Sequence, residues 1–425
     1  MTYNEATKDL MSRRMFGIKF GLQNISLMME RLGNPHSAFQ SLHIAGTNGK
    51  GSTSAMLASL FTAHGLRTGL YTSPHISSVR ERFRVNSTLI KPSEFAALYS
   101  EVIHQIEGIP ATFFEITTAL AFLYFRQENV DAAVIEVGMG GRFDATNIII
   151  PACSVITAIG YDHQKYLGST LEQITREKCG IIKQGVPVVS GVEQPACKAV
   201  ITAAANDLNA PLYESNQIVS LENVEVTPEK SIFDIHINNT IIPRITLPLA
   251  GIYQLANART ALAAYTIVTG RNIQQYVSSI QKGLSSVSWP ERFSVYRKNP
   301  YVIIDVAHNE SGFRALTETI MKLFPKKKVL LVVGMKADKD CRQSLAPILP
   351  LCREGIGVPL HREKEIAPHT FEQVFRNAHI SFRSFRSVRS GLAYAFSHIH
   401  SNEIIVCTGS HYIIHSIKKA IKYLD

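Results

Sequence analysis

The chain has 425 residues, of which 45% are hydrophobic and 18% charged, and it carries a net charge of +10. This balance excludes a disordered polyelectrolyte, and the absence of any run near ~20 apolar residues argues against a membrane-spanning helix. The length exceeds one ordinary core, so two or three domains are expected.

The first 14 residues are polar and lack the hydrophobic core of an export signal. Six scattered cysteines (Cys153, Cys179, Cys197, Cys341, Cys352 and Cys407) form no C-x-x-C pair. They point to reduced thiols in a cytoplasmic protein, without a disulfide frame or a zinc site.

The first strong signal is His43-Ile44-Ala45-Gly46-Thr47-Asn48-Gly49-Lys50-Gly51-Ser52. It follows a short apolar run and leads into Met56, Leu57, Leu60 and Phe61 at helical spacing. A strand, a glycine-rich loop and a helix in that order aim backbone N–H groups and a helix dipole at one anion. Lys50 adds a charge that can reach the outer phosphates of a nucleotide. Gly46, Thr47, Asn48, Gly49, Lys50, Gly51 and Ser52 are therefore read as a nucleoside triphosphate cradle. The standard phosphate loop has Gly where Ile44 stands and Ser or Thr where Gly51 stands. Gly51 has no hydroxyl for Mg²⁺, so the metal must find a ligand at Ser52 or elsewhere.

Further along, residues 69–72 read as a second strand, followed by Ser73-Pro74-His75. Residues 93–106 and 114–128 read as helices. Residues 132–137 are continuously apolar up to Glu136, as in a buried parallel strand. Residues 154–159 and 187–190 read as further strands, with Asp162-His163 just beyond the first. Strands alternating with helices predict an α/β doubly wound sheet, with active groups at the carboxyl ends of its strands. Glu136 is a hard oxygen donor suited to Mg²⁺. Asp162 and His163 are equally open to a structural or a functional role. By spacing alone, Lys178 reads as a surface lysine whose stem covers apolar residues.

Short alternating segments at 231–237 and 240–245 predict a small antiparallel patch, and 255–267 an Ala-rich helix. Residues 285–290, with Trp289-Pro290, read as a linker. Strands at 301–305, 329–333 and 404–407 then start a smaller α/β domain. The boundary is drawn between residues 1–288 and 289–425. The second part holds 21 Lys/Arg against 12 Asp/Glu. It lacks a basic stripe interleaved with aromatics, and Lys326-Lys327-Lys328 reads as a solvated edge, so a small anionic substrate is favoured over nucleic acid. Arg292, Asp305 and His308 are placed to close onto the first domain, and a cleft between domains is the expected ligand site.

These pieces occur together and in order. Residues 43–52, Tyr71-Thr72-Ser73-Pro74-His75, Phe113-Phe114-Glu115, 136–147, Asp162-His163, 176–183, 289–292, Asp305-Val306-Ala307-His308-Asn309 and 335–340 resemble the folylpolyglutamate and dihydrofolate synthases of the Mur ligase superfamily. The resemblance runs through nearly the whole chain. It implies an N-terminal P-loop ATPase domain with a mostly parallel sheet and a small antiparallel patch, then a smaller Rossmann-like domain.

It also implies the site. Ser73, Glu136 and His163 would hold a first Mg²⁺, and Lys178 would carry a carbamate that helps place a second. That reverses the reading of Lys178 from spacing. Asn257, Arg292 and Asp305 match nucleotide contacts. Ile18, Lys19, Phe20, Thr112, Phe113, Phe114, Glu115, Phe143, Asp144 and Ala145 match the pterin side. His308 and Ser410 are placed for the incoming glutamate, and Lys50, Lys178, Asp305 and His308 form the implied catalytic set.

The implied reaction is ATP-dependent ligation of L-glutamate to dihydropteroate or to the tail of a folate, through an acyl phosphate. The implied enzyme is monomeric, without nucleic-acid or membrane partners. Val306, Glu310 and His411 depart from the family pattern near the glutamate and nucleotide side. The sequence also bears on two rivals. A Mur ligase acting on a peptidoglycan precursor would need a further domain, and only 45 residues precede Gly46. A nucleotide switch reading guanine would carry Asn-Lys-x-Asp, and no Asn in the chain precedes a Lys.

Overall fold

A computed structural model describes residues 1–13, 21–270, 272–360 and 364–424 of the chain. Its N-terminal part is built on an eight-stranded sheet, in the order β4-β3-β2-β5-β1-β6-β7-β8. The strands are β1 (Gln40–Ala45), β2 (Thr68–Tyr71), β3 (Phe83–Val85), β4 (Thr88–Leu89), β5 (Ala132–Glu136), β6 (Cys153–Ile156), β7 (Val188–Ser190) and β8 (Leu212–Glu214). β1, β2 and β5 to β8 pair in parallel, and β3 and β4 add an antiparallel edge. Every residue of β5 is buried, because helices cover both faces of the sheet.

One of these helices, Phe113–Gln127, is opened by a reciprocal cap. Thr112 Oγ1 accepts from Glu115 N–H, and a Glu115 oxygen accepts from Thr112 N–H. Another, Pro92–Gln105, matches its predicted span within one residue. The Ala-rich helix runs from Tyr253 to Thr269.

The antiparallel patch has three strands, β9 (Val219–Val226), β10 (Ser231–Ile237) and β11 (Thr240–Leu247), in the order β11-β10-β9. Phe233, Ile235 and Ile237 alternate inward from β10 and pack in one cluster with Leu262 and Tyr265 of the Ala-rich helix. The sequence reading left β9 unassigned. Its Glu222, Asn223 and Glu225 are polar, and Asn223 takes a left-handed backbone (φ 49°) where the register slips.

The smaller C-terminal domain holds β12 (Ser294–Lys298), β13 (Tyr301–Ile304), β14 (Lys328–Val333), β15 (Cys352–Gly357), β16 (Ser381–Ser384) and β17 (Glu403–Thr408). Their order is β12-β13-β17-β14-β15-β16, parallel apart from β12. Lys326 and Lys328 are exposed at the start of β14, as the solvated-edge reading expects.

Most strands fall within a residue or two of their predicted ends, but one stops well short. β6 stops at Ile156, not at residue 159. Residues 157–158 leave the sheet to support the glycine-rich loop: Ala158 O accepts from Thr47 N–H at 2.7 Å, and Thr157 Oγ1 donates to Asn48 O at 2.7 Å. Among the described residues, no helix is long and apolar enough to cross a membrane.

Phe125 shows how tightly the first core is filled. It is fully buried, and a Cβ on Gly69 of β2 would lie 2.9 Å from its ring. Phe125→Ala should lower stability by about 3–5 kcal/mol, read as a shift in the urea midpoint.

Candidate active site

Strand register brings the chemistry to one edge. Ile44 of β1 pairs with Glu136 of β5, and Tyr71 of β2 with Ile135. The glycine-rich loop, Glu136 and Ser73 therefore emerge side by side. In the C-terminal sheet, Ile304 pairs with Cys407, which sets Asp305 near Ser410. Both edges face one cleft of about 700 Å³.

The helix after the loop starts at Lys50, with Gly49 left-handed at φ 84°. A Cβ on Gly49 would lie 2.3 Å from Asn257 Oδ1, so only glycine lets Asn257 sit against the loop. Lys50 Nζ donates to Gly46 O at 3.1 Å and Thr47 O at 3.2 Å. Gly51 also has a steric reason to lack a side chain: a Cβ there would come 2.8 Å from the Trp289 ring.

Glu136 is 3% exposed, and its Oε2 accepts from Ser73 N–H at 2.9 Å. Burial raises its pKa, against the pull of Lys50, the Ser73 N–H and Arg292. His163 holds a left-handed backbone (φ 50°). Burial lowers its pKa to about 4, opposed by Asp162, so its imidazole is neutral and keeps a lone pair. Among the described residues no three His, Cys, Asp or Glu cluster tightly enough to hold a metal alone. One carboxylate, one hydroxyl and one neutral imidazole fit Mg²⁺ that keeps phosphate and water among its ligands.

Lys178 is 3% exposed, which corrects the surface reading from spacing. Its helix, Leu171–Cys179, packs against the 141–142 turn, where Arg142 N–H donates to Glu177 O. Lys178 Nζ then reaches beneath the loop and donates to Gly46 O at 2.9 Å. Burial, then the charge of Lys50, lowers its pKa to about 7.

Asp162 joins the two domains. Its Oδ2 accepts from Asn309 Nδ2 at 3.0 Å and lies 3.1 Å from His308 Nε2. Its Oδ1 meets the Lys339 ammonium and accepts the His163 N–H. Burial would raise its pKa, but His308, His163 and Lys339 overcome that and hold it far below the carboxylate range. Asn48, from the loop, donates to Asn309 Oδ1 at 3.0 Å and to Ser311 Oγ at 2.8 Å. Lys339 and Ser311 were missed in the sequence. Only the Asp338-Lys339-Asp340 run inside the quoted 335–340 stretch marked the first, and nothing marked the second.

Arg292 sits between two non-glycine residues with left-handed backbone, Glu291 (φ 62°) and Phe293 (φ 50°). Such strain persists only where surrounding contacts fix it. Glu291 is buried on Lys418, and Phe293 N–H donates to Asp305 Oδ2 at 2.8 Å. Asp305 also accepts from Tyr253 OH and Ala307 N–H. Its carboxylate is thus taken up by Phe293, Tyr253 and Ala307. His308 has both ring nitrogens engaged, one on Asp162 and the other 2.9 Å from Val306 O.

Phe113, Phe114, Phe143 and Ala145 also line the cleft, with the Arg82 guanidinium 5.1 Å over the Phe113 ring. Asp144 lines it too, but accepts from Gly138, Met139 and Thr146 N–H and from the Thr146 hydroxyl. Thr112 and Glu115 border the cleft while capping their helix. Ile18, Lys19 and Phe20 lie outside the described residues.

Comparison with known proteins agrees with this geometry. Residues 44–265 match the Mur ligase middle domain, and residues 291–411 the Mur ligase glutamate ligase domain. The chain is 34% identical over 431 residues to dihydrofolate synthase/folylpolyglutamate synthase of Bacillus subtilis, covering 99% of each. E. coli FolC in complex with DHPP and ADP superposes with a TM-score of 0.88 at 29% identity, covering 99% of this chain and 98% of that one. A bifunctional folylpolyglutamate synthase/dihydrofolate synthase with Mn, AMPPNP and L-glutamate bound gives 0.86 at 29% identity, covering 99% and 98%. The loop, the buried carboxylate and the two-domain cleft agree with these likenesses: the chain belongs to the dihydrofolate synthase/folylpolyglutamate synthase family of Mur ligases.

Proposed function

We propose that this protein ligates L-glutamate to dihydropteroate, to the glutamate tail of a reduced folate, or to both, driven by ATP. One observation carries the reading: Lys50 and the buried Glu136 of one domain line the same cleft as Arg292 of the other, and both cations favour the ionised carboxylate. That arrangement suits a metal-bound triphosphate held between domains, and the family relatives bind such ligands.

The substrate carboxylate attacks the γ-phosphorus, the bond to ADP breaks, and an acyl phosphate forms. The neutral amine of glutamate then attacks the acyl carbon, phosphate leaves with the carboxylate oxygen, and the nitrogen gives up one proton to the departing phosphate or solvent. Mg²⁺, held by Ser73, Glu136 and His163, would neutralise the charge of the transferring phosphoryl group. Lys50, the 46–52 backbone and Arg292 are assigned to hold the triphosphate. Asn257 is assigned beside the nucleotide. The aromatic lining of the cleft is assigned to the pterin.

Asp305 and His308 receive positioning roles, since their polar atoms are taken up by protein partners. Asp144, Thr112 and Glu115 likewise shape the cleft wall. Ser410, buried at the head of the last helix, is assigned to the incoming glutamate. The domain boundary is proposed at 288/289, supported by the end of one helix at Ser285 and the start of β12 at Ser294. A cytoplasmic setting is supported by six free, buried cysteines.

The deciding assay supplies ATP, L-glutamate and either dihydropteroate or tetrahydrofolate, and reads ADP and product mass. ADP release must depend on both co-substrates; release indifferent to them would overturn the ligase reading. Lys50→Ala and Glu136→Ala should each lower kcat by about 10³-fold or more.

Lys178 is proposed to carry a carbamate. A neutral amine reacts with CO₂, and burial has brought this one to about 7. Below that pH the ammonium form prevails, so at fixed dissolved CO₂ the carbamate should fade as pH falls from 8 to 6. ¹³C-bicarbonate NMR reads it, and Lys178→Ala should abolish the signal.

Asp162→Asn should loosen the domains, because Lys339 and His308 lose the charge that pays for their burial. Small-angle scattering should show a larger radius of gyration, and kcat should fall about tenfold or more.

A further inference from the structure

We infer that His411 is a positioning residue that holds the Arg292 guanidinium in place for the nucleotide. The inference rests on the nucleotide reading of Arg292, and the experiment below separates the two.

His411 is one of the residues at which this chain departs from the pattern that the resemblance implies. It opens the last helix, His411–Leu424, and lines the main cleft. Its Nε2 lies 3.3 Å from Arg292 Nη2. A guanidinium has only donors, so Nε2 must be the accepting nitrogen and the proton must sit on Nδ1. The surroundings agree. Burial, with Arg292, His308, Lys50 and Lys339 nearby, holds the imidazole well below its usual range. The His308 ring is 5.5 Å away. His411 is therefore a neutral acceptor among cationic side chains.

The rest of Arg292 is already fixed. Its flanking residues are tied to Lys418 and Asp305. Its Nη1 donates to Glu291 O at 3.1 Å. His411 supplies the second tether on the guanidinium itself. Two tethers select one conformation of a long side chain before the nucleotide arrives, which lowers the ordering cost of binding. An aliphatic residue offers no acceptor and cannot do this. The effect therefore falls on nucleotide affinity, with the chemical step little changed.

The test compares His411→Leu, His411→Gln, Arg292→Ala and the Leu/Ala double variant, reading kcat, KM for MgATP and Kd for MgADP by calorimetry. H411L should raise KM and Kd about five- to tenfold, with kcat within about twofold. H411Q, whose amide oxygen reaches the same place, should stay within about twofold of the parent. On the R292A background, H411L should add less than about twofold.

Should H411L fail to fold, His411→Asn carries the test, since its shorter amide should behave like Leu. Unchanged affinity in H411L, equal losses with and without Arg292, or a Gln variant as poor as Leu would each overturn the inference. If R292A weakens nucleotide binding while H411L does not, only this inference falls. If R292A leaves binding unchanged, the nucleotide reading of Arg292 falls as well.

Discussion

The arrangement of the whole molecule turns on Asp162. A buried carboxylate is costly unless it is paired and hydrogen-bonded. Asp162 receives the His163 N–H from its own domain, and Lys339, His308 and Asn309 from the other. Without the second domain it would keep only water and its own chain. Domain approach and active-site assembly are thus one event. Asn48 strengthens the link, because it belongs to the phosphate loop yet bonds to Asn309 and Ser311. Joining the domains there also strips water from a carboxylate, an ammonium and an imidazole. Desolvation of that kind offsets much of the attraction between them.

The loop itself is held from four directions. Residues 157–158 support it from the sheet, Asn257 presses on Gly49, Trp289 covers Gly51, and Lys178 lies beneath Gly46. Two lysines share one carbonyl, since Lys50 and Lys178 both donate to Gly46 O. Burial penalises the buried ammonium first, and the like charge of its neighbour adds to the loss of one proton. Lys178 is the more buried and is the one whose pKa drops to about 7. Packing beneath the crowded loop is what lowers the Lys178 pKa.

Much of the fold was legible because buried parallel strands write continuous apolar runs. Residues 132–136 and 329–333 show this. The missed strands share an opposite character. β9 carries Glu222, Asn223 and Glu225, and β15 reads Cys-Arg-Glu-Gly-Ile-Gly. Their pairing is imposed by neighbours, not by local pattern. At the site, the residue types were legible but several duties were not. Asp305, Asp144, Thr112 and Glu115 read as ligand contacts, yet their oxygens serve backbone N–H groups or other side chains. A carboxylate beside a cleft looks the same in sequence whether it faces a ligand or its own loop.

The sequence alone determined the phosphate-loop chemistry and the α/β alternation, because each depends on residues close in the chain, and it pointed to the family through motifs in a fixed order. Gly46 to Ser52 are contiguous, so strand, turn and helix dictate where their N–H groups point. Tertiary structure decided what distance in sequence conceals. Lys178 became buried only when its helix packed under the loop, 132 residues from Gly46. Asp162 found Lys339 across 177 residues, and Arg292 found His411 across 119. Burial and the sign of nearby charge set what an ionisable group does, and both are properties of the packed chain.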